Sequence, residues 1–191
     1  MSKKEKNNWT NWHHLVHKAI IKDAQFIPDG IKLLIAVSGG QDSMALLTLF
    51  KDIKDYHDWE IYVWHGDHQW HSQSSIYAEE LKAFCNYKKI RFYSDKAEYI
   101  EVSTEEKARN WRYQKLHDTA KKLVEPNKGM DDVYILTGHT SSDNAETFLL
   151  NLARGSSYKG LRGIPIKRLS ENNFYIVRPI LNFSRADTLK I

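Results

Sequence analysis

Residues 31–49 read IKLLIAVSGGQDSMALLTL, and the order of residue types within that stretch decides the fold. Ile31 to Val37 is an almost unbroken apolar run, interrupted by Lys32, as suits a short strand covered on both faces of a parallel sheet. Ser38, Gly39 and Gly40 come next as a small-residue turn. From Gln41 the spacing becomes helical, with Met44, Ala45, Leu47, Leu49 and Phe50 supplying an apolar side. The expected order is therefore strand, glycine turn, helix start.

That order suits an anion. Glycine lets the backbone take positive φ and approach a ligand, and a helix's first turn presents unpaired N–H groups with a partial positive charge. Two adjacent glycines alone are also compatible with an ordinary strand-to-helix connection. Asp42 favours the ligand reading, because a carboxylate beside a phosphate needs a divalent cation between them. Ser38 and Ser43 add hydroxyls on either side.

The chain has 191 residues, 41% hydrophobic and 27% charged, enough to bury one full core. Its net charge of +4 permits an anionic partner without requiring one. A single cysteine, Cys85, excludes internal disulfides and any CxxC metal or iron–sulfur site within these residues. No stretch approaches the ~18 apolar residues of a membrane span, and no signal segment opens the chain. A reducing cytoplasm is the expected compartment.

Around the central stretch, Met1 to Asn8 reads as a disordered, lysine-rich arm. Trp9, Trp12, Leu15, Val16, Ala19 and Ile20 recur at helical spacing, with His13, His14 and His17 expected on the solvated side. A second strand, Trp59 to Trp64, runs on into Asp67, where open α/β sheets place ligands. Asp67 equally suits a turn or helix cap. A helix from about Ser74 to Tyr87 and a strand from Ile90 to Tyr93 come after it. Ser103-Thr104-Glu105-Glu106 has the form of a capping box and opens a helix to about Leu123. Its wheel puts Arg109 and Arg112 on the inward side with Leu116 and Ala120, to meet either local glutamates or an incoming phosphate.

The second chemically loaded stretch is Thr137 to Thr147, after a strand at Val133 to Leu136. Ala145, Phe148, Leu149 and Leu152 make an apolar stripe expected to face the core, with Asp143, Glu146, Thr147 and Arg154 opposite. Acids in a first turn also complement the helix dipole, so stability alone could explain either one. In a doubly wound order the first and fourth strands are neighbours, which places Ser38 to Ser43 opposite His139 to Glu146 across one crevice.

SGGQDS resembles the SGGxDS signature of the PP-loop N-type ATP pyrophosphatases. Further along, TGHTSSDNAETFLLNLARG, Ala108 to Tyr113, Asp67-His68 and Arg178-Pro179-Ile180-Leu181 resemble the tRNA(Ile)-lysidine synthetase family. The resemblance implies an α/β fold with a doubly wound, mostly parallel five-stranded sheet and helices on both faces, Rossmann-like and of the adenine nucleotide alpha hydrolase type. It implies a domain over residues 9–185, with 186–191 the start of a helix cut short before further helical domains. The family uses ATP and Mg2+ to adenylate the C2 carbonyl oxygen of the wobble cytidine of a tRNA(Ile) with a CAU anticodon. The amine of free L-lysine then displaces AMP.

Carried over, Ser38, Gly39, Gly40, Gln41, Asp42 and Ser43 would hold the triphosphate and Asp67 would lie against the nucleoside. Asp42 and Asp143 would place Mg2+. Asp42, Arg109, His139, Asp143 and Glu146 would line the reaction centre, and Arg112, Arg154 and Arg178 would meet tRNA. A homodimer is left open. The chain departs from the family pattern at Gln69-Trp70-His71 and at Thr140 and Ser142. Two other readings stand beside this one: a PP-loop enzyme that thiolates tRNA cytidine, and a nucleotide-binding domain without turnover.

Overall fold

The computed structural model describes residues 9–23, 26–70, 74–126, 128–155 and 162–191. The expected disordered arm at 1–8, and His71, lie outside them. The central stretch folds as read, with β1 at Lys32–Ala36, the turn, and α2 at Gln41–His57. The remaining elements are α1 (Asn11–Lys22), β2 (Glu60–Asp67), α3 (Ser74–Tyr87), β3 (Arg91–Lys96), α4 (Glu105–Leu123), β4 (Val133–Thr137), α5 (Ser141–Ala153), β5 (Lys167–Leu169), β6 (Tyr175–Val177) and α6 (Arg185–Thr188).

The sheet has six strands in the order β3-β2-β1-β4-β6-β5, all parallel except β5, which pairs antiparallel with β6. The order reverses at β1, so β1 and β4 are neighbours, with Ala36 opposite Thr137 at the ends of both strands. The implied count of five is one short, and residue spacing located only four, because β5 and β6 are three residues each and too short to show alternation.

Pleating separates two cores. Leu33 and Ile35 join Val16, Ile20, Leu46, Phe50, Leu81 and Cys85 in the layer under α1, α2 and α3. Leu34 points the other way, with Trp64, Ile135 and Ile176, toward Ala108, Trp111, Leu116 and Ala120 of α4. Helices thus cover both faces, which is why the strands read as continuous apolar runs.

Three expectations change. His13 is buried, accepting from the Thr10 amide at 3.0 Å and lying 3.3 Å from Asp52. His17 lies 2.9 Å from buried His57, which donates to Asp29 at 2.6 Å. These histidines dock α1 on α2 instead of facing solvent. On α4, Ala108 and Trp111 are buried while Arg109 and Arg112 flank them and stay exposed, because the inward arc is narrower than the wheel suggested. Finally, α5 buries none of its residues; Phe148, Leu149 and Leu152 are 41%, 61% and 54% exposed. A period identifies the apolar side of a helix, but not whether a neighbour covers it.

Gly66 permits the contact between β2 and α4. A Cβ there would lie 2.5 Å from Trp64 and 2.9 Å from Trp111, two rings whose centroids are 6.1 Å apart. Gly66→Ala is expected to cost about 1–3 kcal/mol through overpacking, read as a lowered urea midpoint with unchanged m-value.

Candidate active site at the strand carboxyl ends

The ends of β1, β2 and β4 open on a cleft of about 510 Å³, within the range of small-molecule sites. The glycine turn forms one wall. Gly39 takes φ +86°, and Gly40 is the N-cap of α2. The turn is braced internally: Ser43 Oγ donates to the Gly40 carbonyl at 2.8 Å and accepts from the Ser38 amide at 3.2 Å. The Gly40 amide donates to Ser38 Oγ at 3.2 Å. Ser38, Gly39 and Gly40 remain exposed. With the Ser38 and Gly40 amides engaged by serine hydroxyls, the Gly39 amide and the first turn of a seventeen-residue helix are what this wall offers an oxyanion.

Asp42 in the first turn of α2 accepts a hydrogen bond from Thr188 Oγ1. Gln41 Nε2 donates to the Arg185 carbonyl at 2.6 Å and to Thr188 Oγ1 at 2.8 Å. α6 therefore latches the glycine turn from outside. Thr188 is a positioning residue that sequence reasoning missed, because its partners lie far away in the chain.

The second wall comes from β4. A Cβ on Gly138 would meet the backbone of Ser43 at 3.0 Å (Cα) and 3.1 Å (N), and that of Asp42 at 3.2 Å. His139 is next, with Nδ1 2.9 Å from Thr137 Oγ1. Burial pushes its imidazole down to about 4, with Arg178, Arg109 and Arg112 adding to the shift and Asp143 opposing it. His139 is thus neutral at ordinary pH. Asp143 lines the cleft, but its Oδ2 is engaged as a cap, accepting from the Thr140 amide at 2.7 Å and Thr140 Oγ1 at 3.0 Å. The helix-stability reading of this acid is therefore correct for Oδ2, and Oδ1 has no hydrogen-bond partner among the described residues.

Asp67 is buried at the end of β2, where Oδ1 accepts from the Gln69 amide at 2.8 Å and Oδ2 from Ser75 Oγ at 3.4 Å. Its turn-forming role is real, and it lines the cleft as well. The departure from the family pattern puts Trp70, 49% exposed, on the rim, where Nε1 donates to the Val102 carbonyl at 3.1 Å. Arg112 also lines the cleft and donates to His68 Nε2 at 3.2 Å.

The cleft thus brings together Ser38, Gly40, Gln41, Asp42, Ser43, Asp67, Arg112, His139 and Asp143. Glu146 and Arg154 are exposed on α5 and at its C-cap, outside the lining. Arg109 and Arg178 stand behind the lining, around Tyr113. Among the described residues no three His, Cys, Asp or Glu side chains converge as a metal site. The two available carboxylates, Asp42 and Asp143, nevertheless suit Mg2+, which commonly takes one or two carboxylates and completes its shell with phosphates and water. Among the described residues no helix is long and apolar enough to cross a membrane.

Two outcomes check this geometry. Because the folded state resists protonating His139, the unfolded chain binds more protons between pH 6.5 and about 4. The contribution of His139 to stability is present above pH 6.5 and is lost as pH falls through that window. Denaturant titrations at several pH values should show a shallower acid slope for His139→Gln than for wild type. Gly138→Ala should force the two turns apart by a few tenths of an ångström and lower the urea midpoint at unchanged m-value.

The PP-loop domain family matches residues 12–191. A tRNA(Ile)-lysidine synthase of Prochlorococcus marinus subsp. pastoris is 58% identical over 183 residues, covering 96% of this chain and 54% of the relative. One from a Nostoc species is 37% identical over 180 residues, covering 94% and 50%. The chain spans about half the length of the curated relatives it matches. Among solved structures, the U34-tRNA thiolase NcsA of Methanococcus maripaludis superposes with a TM-score of 0.71 at 14% identity, covering 93% of this chain and 60% of that one. The NH3-dependent NAD synthetase of Campylobacter jejuni gives 0.57 at 15%, covering 95% and 72%. With a glycine turn between β1 and α2, a parallel sheet reversing beside it and a match across nearly its whole length, this chain belongs to the PP-loop domain family.

Proposed function

We propose that this chain carries the ATP-using site of tRNA(Ile)-lysidine synthesis. The observation that carries the reading is the single cleft in which the glycine turn of Ser38 to Ser43 faces His139 and Asp143 at Gly138, in a chain 58% identical to a synthase of that name. Such a cleft offers one place for a triphosphate and another, within reach, for a nucleophilic oxygen.

In this reading the Gly39 amide and the start of α2 hold the phosphates of ATP. Asp42, steadied by Thr188, and Asp143 would hold Mg2+. Bound there, the ion would offset phosphate charge as the α-phosphorus is attacked. The C2 oxygen of the wobble cytidine of a CAU-anticodon tRNA(Ile) attacks that phosphorus and pyrophosphate leaves. The amine of L-lysine then bonds to C2, the C–O bond breaks, and AMP departs with the oxygen. The amine's proton passes to water in the cleft, because Asp143 is committed to the Thr140 cap and to the ion and Glu146 lies outside the lining. Neutral His139 serves as a hydrogen-bonding wall that adds no charge.

Thiolation is disfavoured by Cys85, which is fully buried in the core with its thiol pushed up to about 11 by burial. Neither an accessible thiolate nor a paired cysteine is available among these residues. A binding domain without turnover is separated by assay.

The test is pyrophosphate release with ATP, Mg2+ and tRNA(Ile) bearing CAU, with and without lysine. Release that requires the tRNA, with lysine incorporated, is expected; ATP binding without release overturns the reading. Asp42→Ala is expected to lower the rate at least tenfold, about 1.4 kcal/mol of barrier.

A further inference from the structure

Arg185, the first residue of α6, lines the cleft at the end that carries the glycine turn. Its backbone is held by three other helices. The Arg185 carbonyl accepts from Gln41 Nε2 at 2.6 Å, so α6 begins against the first residue of α2. Two residues earlier, the Phe183 carbonyl accepts from the Ser141 amide of α5 at 2.9 Å, and the Phe183 ring centroid lies 5.4 Å from that of Trp12 on α1. Ser184 between them caps α6, its Oγ accepting from the Asp187 amide at 3.2 Å while its own amide donates to Asp187 Oδ2 at 2.8 Å. The side chain is under no such restraint. It is exposed, and among the described residues its guanidinium has neither a carboxylate nor a hydrogen-bond acceptor as partner. Arg112, the other arginine of the lining, is engaged with His68 past the end of β2. A fixed backbone therefore carries an uncommitted cation into the cleft.

We propose that Arg185 is a further substrate-binding residue of this site, where its guanidinium takes the β- and γ-phosphates of ATP and meets the charge that appears as pyrophosphate leaves. Guanidinium suits phosphate because its fork of N–H donors can reach two oxygens at once. With the Ser38 and Gly40 amides already engaged by serine hydroxyls, the turn alone offers few donors to a group of such charge. Direction favours the leaving group over the α-phosphate. In-line displacement at phosphorus sends the leaving group away from the nucleophile, so an oxygen presented from the His139 wall drives pyrophosphate toward the turn. As the bond from the α-phosphorus to its bridging oxygen breaks, the electron pair stays on that oxygen, and a cation already in place offsets it without reorganisation. The His139 wall draws its own positive field from Arg178, Arg109 and Arg112, whereas Arg185 belongs to the turn through Gln41. The inference rests on the reading of ATP as the substrate of this cleft.

Equilibrium titrations with ATP, inorganic pyrophosphate and AMP are compared for wild type, Arg185→Gln and Arg185→Lys. Because the side chain is exposed, neither change should move the urea midpoint. Arg185→Gln is expected to bind ATP and pyrophosphate about tenfold more weakly and AMP as wild type does. Arg185→Lys should recover part of the loss, since the charge returns without the fork. Equal loss for all three ligands would mean that the residue shapes the cleft instead of binding the leaving phosphates, and unchanged ATP and pyrophosphate affinity would mean that it touches neither; both overturn the inference. Weakening confined to a labelled CAU anticodon stem-loop would assign the guanidinium to RNA and overturns it as well. The nucleotide titrations contain no tRNA, so they judge the inference separately from turnover. Wild-type protein that binds neither ATP nor pyrophosphate overturns both the inference and the reading beneath it.

Discussion

The site depends on one close approach between two backbones. Gly138, leaving β4, comes so near the first turn of α2 that a single added carbon would press on Ser43 and Asp42. Parallel pairing of β1 with β4 aligns the two strand ends, Ala36 beside Thr137. Glycine then lets the turns beyond those ends close into one cleft instead of two separate loops. Every other feature of the site inherits that spacing: the turn offers amides on one side, and His139 and the capped Asp143 stand a residue or a helical turn further on.

Around this contact the chain uses side-chain hydrogen bonds for rigidity. Ser38 and Ser43 brace the turn, His65 Nδ1 donates to the Val37 carbonyl at 2.8 Å, and Gln41 with Thr188 ties α6 to it. The residues of the turn stay exposed, with the Ser38 and Gly40 amides held by serine hydroxyls. Binding an anion then requires little reorganisation, since the groups that would otherwise have to be ordered are already held.

Local features were legible in the sequence. Positive φ at Gly39, the strand-to-helix switch at Gln41 and the reversal beside β1 arise from residues adjacent in the chain or from a topological rule. Contacts between distant segments were hidden. Thr188 on Asp42 and Arg168 on Tyr113 pair residues from separate parts of the domain, and no period or short motif announces them. The apolar stripe of α5 shows the converse: Phe148, Leu149 and Leu152 share a side as expected, yet nothing in the described chain buries them. Asp143 was legible as a helix-capping acid, and its bonds from Thr140 bear that role out while the residue also lines the cleft.

Burial comes first in keeping His139 neutral, and the arginine field adds to it. Arg178, Arg109 and Arg112 lower the imidazole for the same reason that Arg178, Arg109 and Arg168 lower the Tyr113 phenol: positive potential favours whichever protonation state carries less positive charge. An amine brought to this wall would be governed by the same rule. Lysine's ammonium, with a pKa of about 10.4 in water, would lose its proton more readily here than in solution. An anion bound near these guanidinium groups would weaken that field, so its occupancy and the protonation of a basic group at this wall are electrostatically coupled.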